Sequence, residues 1–185
     1  MSSEYKLKTP LEKEDLARLK IGDKVLLSGK IYTARDAAHK RLVQLIKEGK
    51  ELPIELEGQV IYYVGPTPPK PGQVIGSAGP TTSERMDPYA PLLLDRGLKA
   101  MIGKGQRSNA VVEAIKRNGA VYFAATGGVG ALLAKAVKSS RIVAYEELGA
   151  EAIRELEVED FPLIVAIDAQ GRDLYVEGVS QYCLP

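Results

Sequence analysis

The sequence predicts an α/β layered fold in one compact domain over residues 1–185. Three observations carry that prediction. Short runs rich in Val, Ile, Leu and Tyr alternate with stretches whose apolar residues fall at helical spacing, the pattern of strands and helices stacked in layers. With 185 residues, 45% of them hydrophobic and 26% charged, the chain can bury a real core without disulfide or metal support. No internal repeat divides it.

The elements follow in order. Residues 1–20 are a polar segment in which 4–20 are charged and compatible with a helix. In residues 24–33, Val25, Leu27, Gly29 and Ile31 alternate as in a strand with one buried face. Residues 35–48 place Ala38, Leu42, Leu45 and Ile46 at helical spacing, and Gly49 stands where a helix stop belongs. Residues 59–64 form a second strand, ended by Gly65-Pro66. Residues 65–82 are dense in Gly and Pro, as a linker would be. The apolar pair Val74-Ile75 inside them favours an ordered loop, and long loops in compact domains are often functional. A helical stretch around 89–95, a short strand at 100–102, a helix at 109–117 closed by Asn118-Gly119 and a strand at 120–125 come next. A helix is predicted at 128–137 and a strand at 141–144. Residues 151–156 read as helical and 163–167 as a buried strand. A turn at 168–171 then leads into Leu174-Tyr175-Val176.

Charge and ligand inventory exclude several classes of function. Lys and Arg total 25 against 24 Asp and Glu, a net charge of +1 that gives no footing for a nucleic acid. No apolar run approaches the ~20 residues needed to cross a bilayer. The segment Met1-Ser2-Ser3-Glu4-Tyr5-Lys6 lacks the apolar core of a signal peptide. The expectation is a cytoplasmic chain that meets no membrane. Its one Cys, Cys183, rules out an internal disulfide. With one His, His39, it also leaves too few ligands for an iron–sulfur cluster or a structural zinc. No metal is expected on this chain, so any such cofactor would have to come from a partner.

Three segments concentrate polar chemistry beside breaks in regular structure. Arg35-Asp36-Ala37-Ala38-His39 sits at a strand-to-helix junction. The Arg35 guanidinium presents a planar fork suited to a carboxylate. The plainer reading has Asp36 complementing the helix dipole while Arg35 and His39, four residues apart on one face, meet solvent. In Gly79-Pro80-Thr81-Thr82-Ser83-Glu84-Arg85-Met86-Asp87, Thr81 with Glu84 matches a capping box. Such a cap would gather exposed N–H groups, two hydroxyls and Arg85 at an anion-ready helix start. The third segment, Gly103-Lys104-Gly105-Gln106-Arg107-Ser108, is no phosphate loop. Five residues rather than four separate Gly97 from Gly103, and Gly105 stands where Ser or Thr should bind magnesium. It reads either as a turn carrying the Lys104 ammonium to an anion or as an ordinary helix start. Thr126-Gly127-Gly128-Val129-Gly130 departs from a dinucleotide loop, and close packing explains its glycines.

Taken in order, these segments resemble the β subunit, or C-terminal domain, of class I fumarases and L-tartrate dehydratases. The matching pieces run from Gly22 to about Val176. Beyond the three segments they include Tyr62-Tyr63-Val64-Gly65-Pro66-Thr67, Gly127-Gly128, Leu148-Gly149-Ala150-Glu151-Ala152 and Asp160-Phe161-Pro162. The resemblance implies a swivelling β/β/α domain that closes over a [4Fe–4S] cluster bound by a separate α subunit, in an α2β2 heterotetramer. It implies a hydro-lyase acting on a small dicarboxylate, with fumarate hydration ahead of L-tartrate dehydration. A non-catalytic organic-anion-binding module is the alternative from another class. It further implies that Arg35, Thr81, Arg85 and Lys104 bind the dicarboxylate and that Thr81 removes the proton next to a carboxylate. Thr82 joins the binding set and takes the base role if the register is off by one. Asp36 and His39 support the first segment. Threonine is a weak base at its ordinary pKa, so the role requires a strongly cationic, partly desolvated surrounding.

Overall fold

The computed structural model of the protein describes residues 3–126 and 128–182; Gly127 and Cys183 therefore lie outside the described residues. The strands are β1 (Glu4–Lys8), β2 (Lys24–Thr33), β3 (Val60–Tyr62), β4 (Ala100–Gly103), β5 (Val121–Ala124), β6 (Val137–Ala144) and β7 (Ile153–Ile167). The helices are α1 (Lys13–Ala17), α2 (Asp36–Lys47), α3 (Ala90–Leu94), α4 (Asn109–Asn118), α5 (Gly130–Ala134) and α6 (Leu174–Tyr182). Two 3-10 turns, Ser83–Met86 and Glu146–Glu151, complete the set.

Strands β1 to β5 run parallel in spatial order, and β7 runs antiparallel to β2, β5 and β6. One edge of β2 takes β1 along its first half and β3 at its end, while the other edge takes β7. β7 is 15 residues long, and its far edge takes β6 and then β5. The ladder therefore closes on itself through β2, β3, β4, β5 and β7.

Alternation along the central strands separates two cores. Val60, Tyr62 and Val64 join Val25, Leu27 and Ile31 of β2 and Phe161, Leu163 and Val165 of β7 in a core between strands. Ile61, Tyr63, Met101 and Tyr122 point the other way, onto Leu42 of α2, Leu93 of α3 and Ile115 of α4. The result is a mixed α/β domain in which one seven-stranded sheet separates two cores. Each fully buried Leu, Ile or Phe contributes ~1.5–3 kcal/mol, and a slip of one residue would exchange the two faces, so the register is strongly specified. The predicted stop after α4 is present: Gly119 takes the left-handed conformation at φ 58 and closes the helix with its N–H on Ile115 and Lys116 carbonyls.

Several local expectations are corrected. Residues 4–8 form β1 rather than helix, because Leu7 is buried and the segment pairs with β2; only Lys13–Ala17 is helical. The charged stretch 151–156 has good helix formers but lies mostly in β7. There Ile153 and Leu156 are buried, while Glu155 pairs across strands with Arg141 at 3.0 Å and Lys30 at 3.6 Å. Tertiary pairing overrides local propensity. The predicted helix 128–137 shrinks to Gly130–Ala134, with Val137 already in β6, which extends the expected strand 141–144 backward. Leu174-Tyr175-Val176 opens α6. Residues 65–82 are an ordered loop. Ile75 and Ala78 are buried, the Tyr62 hydroxyl donates to the Ala78 carbonyl, and Thr67 Oγ1 accepts from the Ser77 N–H at 2.8 Å. Among the described residues, no helix is long and apolar enough to cross a membrane.

Candidate anion-binding site at the strand ends

Because β2, β3 and β4 are parallel neighbours, their carboxyl ends lie side by side, the place where α/β sheets receive ligands. β2 leads into Arg35. The end of β3 receives Thr81, whose N–H donates to the Tyr63 carbonyl at 2.8 Å. β4 leads into Lys104, which forms a parallel bridge with Thr82 and accepts the Ser83 N–H at 2.9 Å. One edge of the domain thus gathers Arg35, Thr81, Thr82, Arg85 and Lys104 from segments far apart in sequence.

Ion pairs order the cationic groups. Arg35 Nη2 lies 3.3 Å from Glu151 Oε1 and 3.8 Å from Asp36 Oδ2. Asp36 Oδ1 takes Arg85 Nε at 2.9 Å, so one carboxylate sits between two guanidiniums. Glu151 also accepts the Ala37 N–H at 3.3 Å, in the first turn of α2. Gly65 leaves the room that Arg35 uses, since a Cβ there would stand 2.9 Å from Arg35 Nη1. The Arg35 side chain is 22% exposed and that of Arg85 52%. Pairs so open to water add only ~0–1 kcal/mol to stability; what they fix is direction. Buried Arg35 Nε has no acceptor among the described residues.

Two plainer readings are overturned. Thr81 caps no helix: Thr82 precedes a four-residue 3-10 turn, no side-chain capping bond forms, and Thr81 instead pairs through its backbone with Tyr63, just beyond β3. His39 does not meet solvent. It is fully buried, edge-on to Tyr63 with ring centroids 5.3 Å apart, and its Nδ1 lies 2.8 Å from the Arg35 carbonyl. That carbonyl can only accept, so Nδ1 carries the proton, and Nε2 has no partner among the described residues.

Burial lowers the His39 pKa to about 4. An unfolded chain protonates this imidazole near its ordinary 6.5. Between those values the unfolded state binds the extra proton, so the contribution of neutral His39 is complete above pH 6.5 and is lost as pH falls toward 4. The loss should reach ~3 kcal/mol. Denaturant titrations of wild type and His39→Phe across pH 4–7 check it: the variant should show a smaller acid slope, and equal slopes would refute this account.

Three features of the edge escaped sequence reasoning. Glu151 lay in a stretch read as helix. Asp87 and Arg107 each ended or lay within a recognised segment, but nothing in sequence pairs them. Arg107 Nε donates to Asp87 Oδ1 at 2.6 Å in full burial, and Asp87 Oδ2 accepts the Ser108 N–H at 2.6 Å. The guanidinium also lies over the Tyr63 and Tyr122 rings, at 5.3 and 4.9 Å from their centroids. Tyr175 reaches the same place from α6, accepting the Gly105 N–H at 3.1 Å.

Comparison with known proteins places the chain in a family. Residues 2–178 match the family described as the fumarase C-terminus. The chain is 42% identical over 176 residues to "Fumarate hydratase class I, anaerobic" of Escherichia coli K12, covering 92% of this chain and 32% of that protein. It is 38% identical over 178 residues to "Fumarate hydratase 2" of Leishmania major, covering 94% of this chain and 31% of that protein. Against "Putative L(+)-tartrate dehydratase subunit beta" of Methanocaldococcus jannaschii it is 43% identical over 173 residues, covering 90% and 89%. The chain thus spans about a third of the two fumarate hydratases and most of the third relative.

Proposed function

Because the chain belongs to the fumarase C-terminus family, we propose that it is the β subunit of a two-part hydro-lyase, a fumarate hydratase, whose swivelling β/β/α domain supplies the dicarboxylate-binding groups. The observation that supports the reading is that the Arg35–Asp36–Arg85 ion pairs and the backbone segments carrying Thr81 and Lys104 come together on one strand-end edge. Three cationic donors suit two carboxylates. Arg35 and Arg85 are already turned toward carboxylates, those of Asp36 and Glu151.

In this reading Thr81 Oγ1, deprotonated beforehand, takes the proton from the carbon next to one carboxylate in the dehydration direction. The C–O bond at the neighbouring carbon breaks to release hydroxide, and in hydration Thr81 Oγ1 returns the proton. Negative charge then grows on that carboxylate, and cationic groups fixed beforehand stabilise it more in the transition state than in the bound substrate. The residues of this chain do not fit a [4Fe–4S] cluster. Among the described residues no three His, Cys, Asp or Glu side chains cluster as metal ligands, and the sequence holds one Cys. The cluster is assigned to a cluster-bearing α subunit, with which this chain forms an α2β2 heterotetramer.

L-Tartrate dehydration is the second reading, favoured by the length match to the tartrate dehydratase β subunit. It uses the same anion-binding set. To test both, the chain is purified anaerobically, alone and with an α subunit carrying spaced cysteines, and offered iron and sulfide. The pair is expected to turn brown and to hydrate fumarate faster than it dehydrates L-tartrate. The chain alone is expected to fold, stay colourless and do neither. A stable cluster absorption band or measurable turnover from the isolated chain would overturn the assignment.

A further inference from the structure

Behind the strand-end edge, Ser83, Asp87, Arg107 and Tyr122 form a set of buried polar groups. Tyr122, on β5, is fully buried. Its hydroxyl donates to the Gly105 carbonyl at 2.9 Å and lies 2.8 Å from Ser83 Oγ. A phenol has one proton, and the Gly105 carbonyl takes it, so Ser83 is the donor in the second contact. Burial raises the Tyr122 pKa, which keeps that proton in place. The peptide chain at Gly105 is therefore held on both sides, by Tyr122 at its carbonyl and by Tyr175 at its N–H.

These contacts tie together the two segments that carry the candidate chemistry. Ser83 directly follows Thr81-Thr82, and Gly105 directly follows Lys104. Ser83 N–H also bonds to the Lys104 carbonyl, and a Cβ on Gly103 would overlap Ser83 Oγ, so the turn and the loop are pressed together. On the far side the buried Arg107–Asp87 pair does the same. Asp87 closes the turn holding Arg85, and Arg107 closes the loop holding Lys104.

We propose that Tyr122, relaying between Ser83 and Gly105 and braced by the Arg107–Asp87 pair, is a positioning residue that fixes the backbone from which Lys104 projects relative to the Thr81–Arg85 turn. It acts through Lys104 and touches no substrate. The inference rests on the functional reading above. A displacement of ~1 Å in a group that stabilises developing charge costs up to about 10²-fold in rate, so the relay matters to turnover more than to binding.

A double-mutant cycle in the assembled α–β enzyme tests this. Tyr122→Phe keeps the ring and removes one hydroxyl; Ser83→Ala removes the other end of the relay and serves as the second variant. Each is expected to lower kcat about 10-fold or more while KM moves less than about threefold, at a temperature where thermal melts show the assembly folded. In a Lys104→Ala background, Tyr122→Phe should cost less than about twofold further, because the group it positions is gone. Wild-type kcat in both single variants, or an undiminished loss in the Lys104→Ala background, would overturn the positioning role alone. Wild-type turnover in Lys104→Ala by itself would overturn the functional reading, and this proposal with it.

Discussion

On the proposed hydro-lyase reading, Thr81→Ala is expected to lower kcat of the α–β assembly by about 10²-fold or more, with little change in KM, the scale of a lost general base. The fold makes the experiment clean. A capping threonine would cost roughly 0.5–2 kcal/mol on truncation, but Thr81 caps nothing here. Its structural tie is the backbone N–H on the Tyr63 carbonyl, which an alanine retains. Melting should therefore hardly move while turnover collapses. Thr82 is exposed, with its methyl beside Gly105, and Thr82→Ala should lose far less. An exchange of the two effects would shift the base by one residue. Washout of isotope from the substrate carbon reads the same proton transfer independently. A folded Thr81→Ala enzyme with near-normal kcat and normal washout would remove the threonine from the chemistry.

Arg35→Ala is expected to lower kcat/KM by about 10- to 150-fold, the range for losing a charge-assisted hydrogen bond of ~1.5–3 kcal/mol. The rest of the edge survives the change: Asp36 keeps Arg85, and Glu151 keeps the Ala37 N–H. Loss of activity without loss of folding is thus the predicted pattern. Arg35→Lys should recover only part of it. One ammonium cannot reach Glu151 and Asp36 while offering a planar fork to a substrate carboxylate. Unchanged kinetics in Arg35→Ala would count against dicarboxylate binding at this edge.

The alternating layers, the strand at Lys24–Thr33, the helix after Arg35 and the glycine stop after α4 were readable because each rests on local signals: periodicity of apolar residues and a residue able to take positive φ. What failed was non-local. Glu4–Lys8 and the first half of β7 are polar enough to suggest helix, and pairing makes them strands, β1 with β2 and β7 with both β2 and β6. The same limit applies to the edge. Arg35, Thr81, Arg85 and Lys104 stand out as residues, yet their assembly depends on three parallel strands ending together. The Thr81–Glu84 spacing matched a capping box, but the Thr81 N–H bonds instead to the Tyr63 carbonyl just beyond β3. Asp87 and Arg107 find each other only because the turn and loop that carry them are folded back to back.

The closed ladder also has a consequence for how the chain comes to be folded. The β2–β7 seam joins residues far apart in sequence: the Arg154 N–H meets Thr33 Oγ1 across 121 positions and the Asp160 N–H meets Ser28 Oγ across 132. Contacts of such separation are entropically expensive to close and slow to form. During synthesis, β1 to β5 can assemble early, but they wait with Val25, Leu27 and Ile31 uncovered until Phe161, Leu163 and Val165 arrive to cover that core. The strand that seals the ring is made after the strands it closes, so until it arrives they form an open sheet with an apolar face, the kind of surface that is prone to associate.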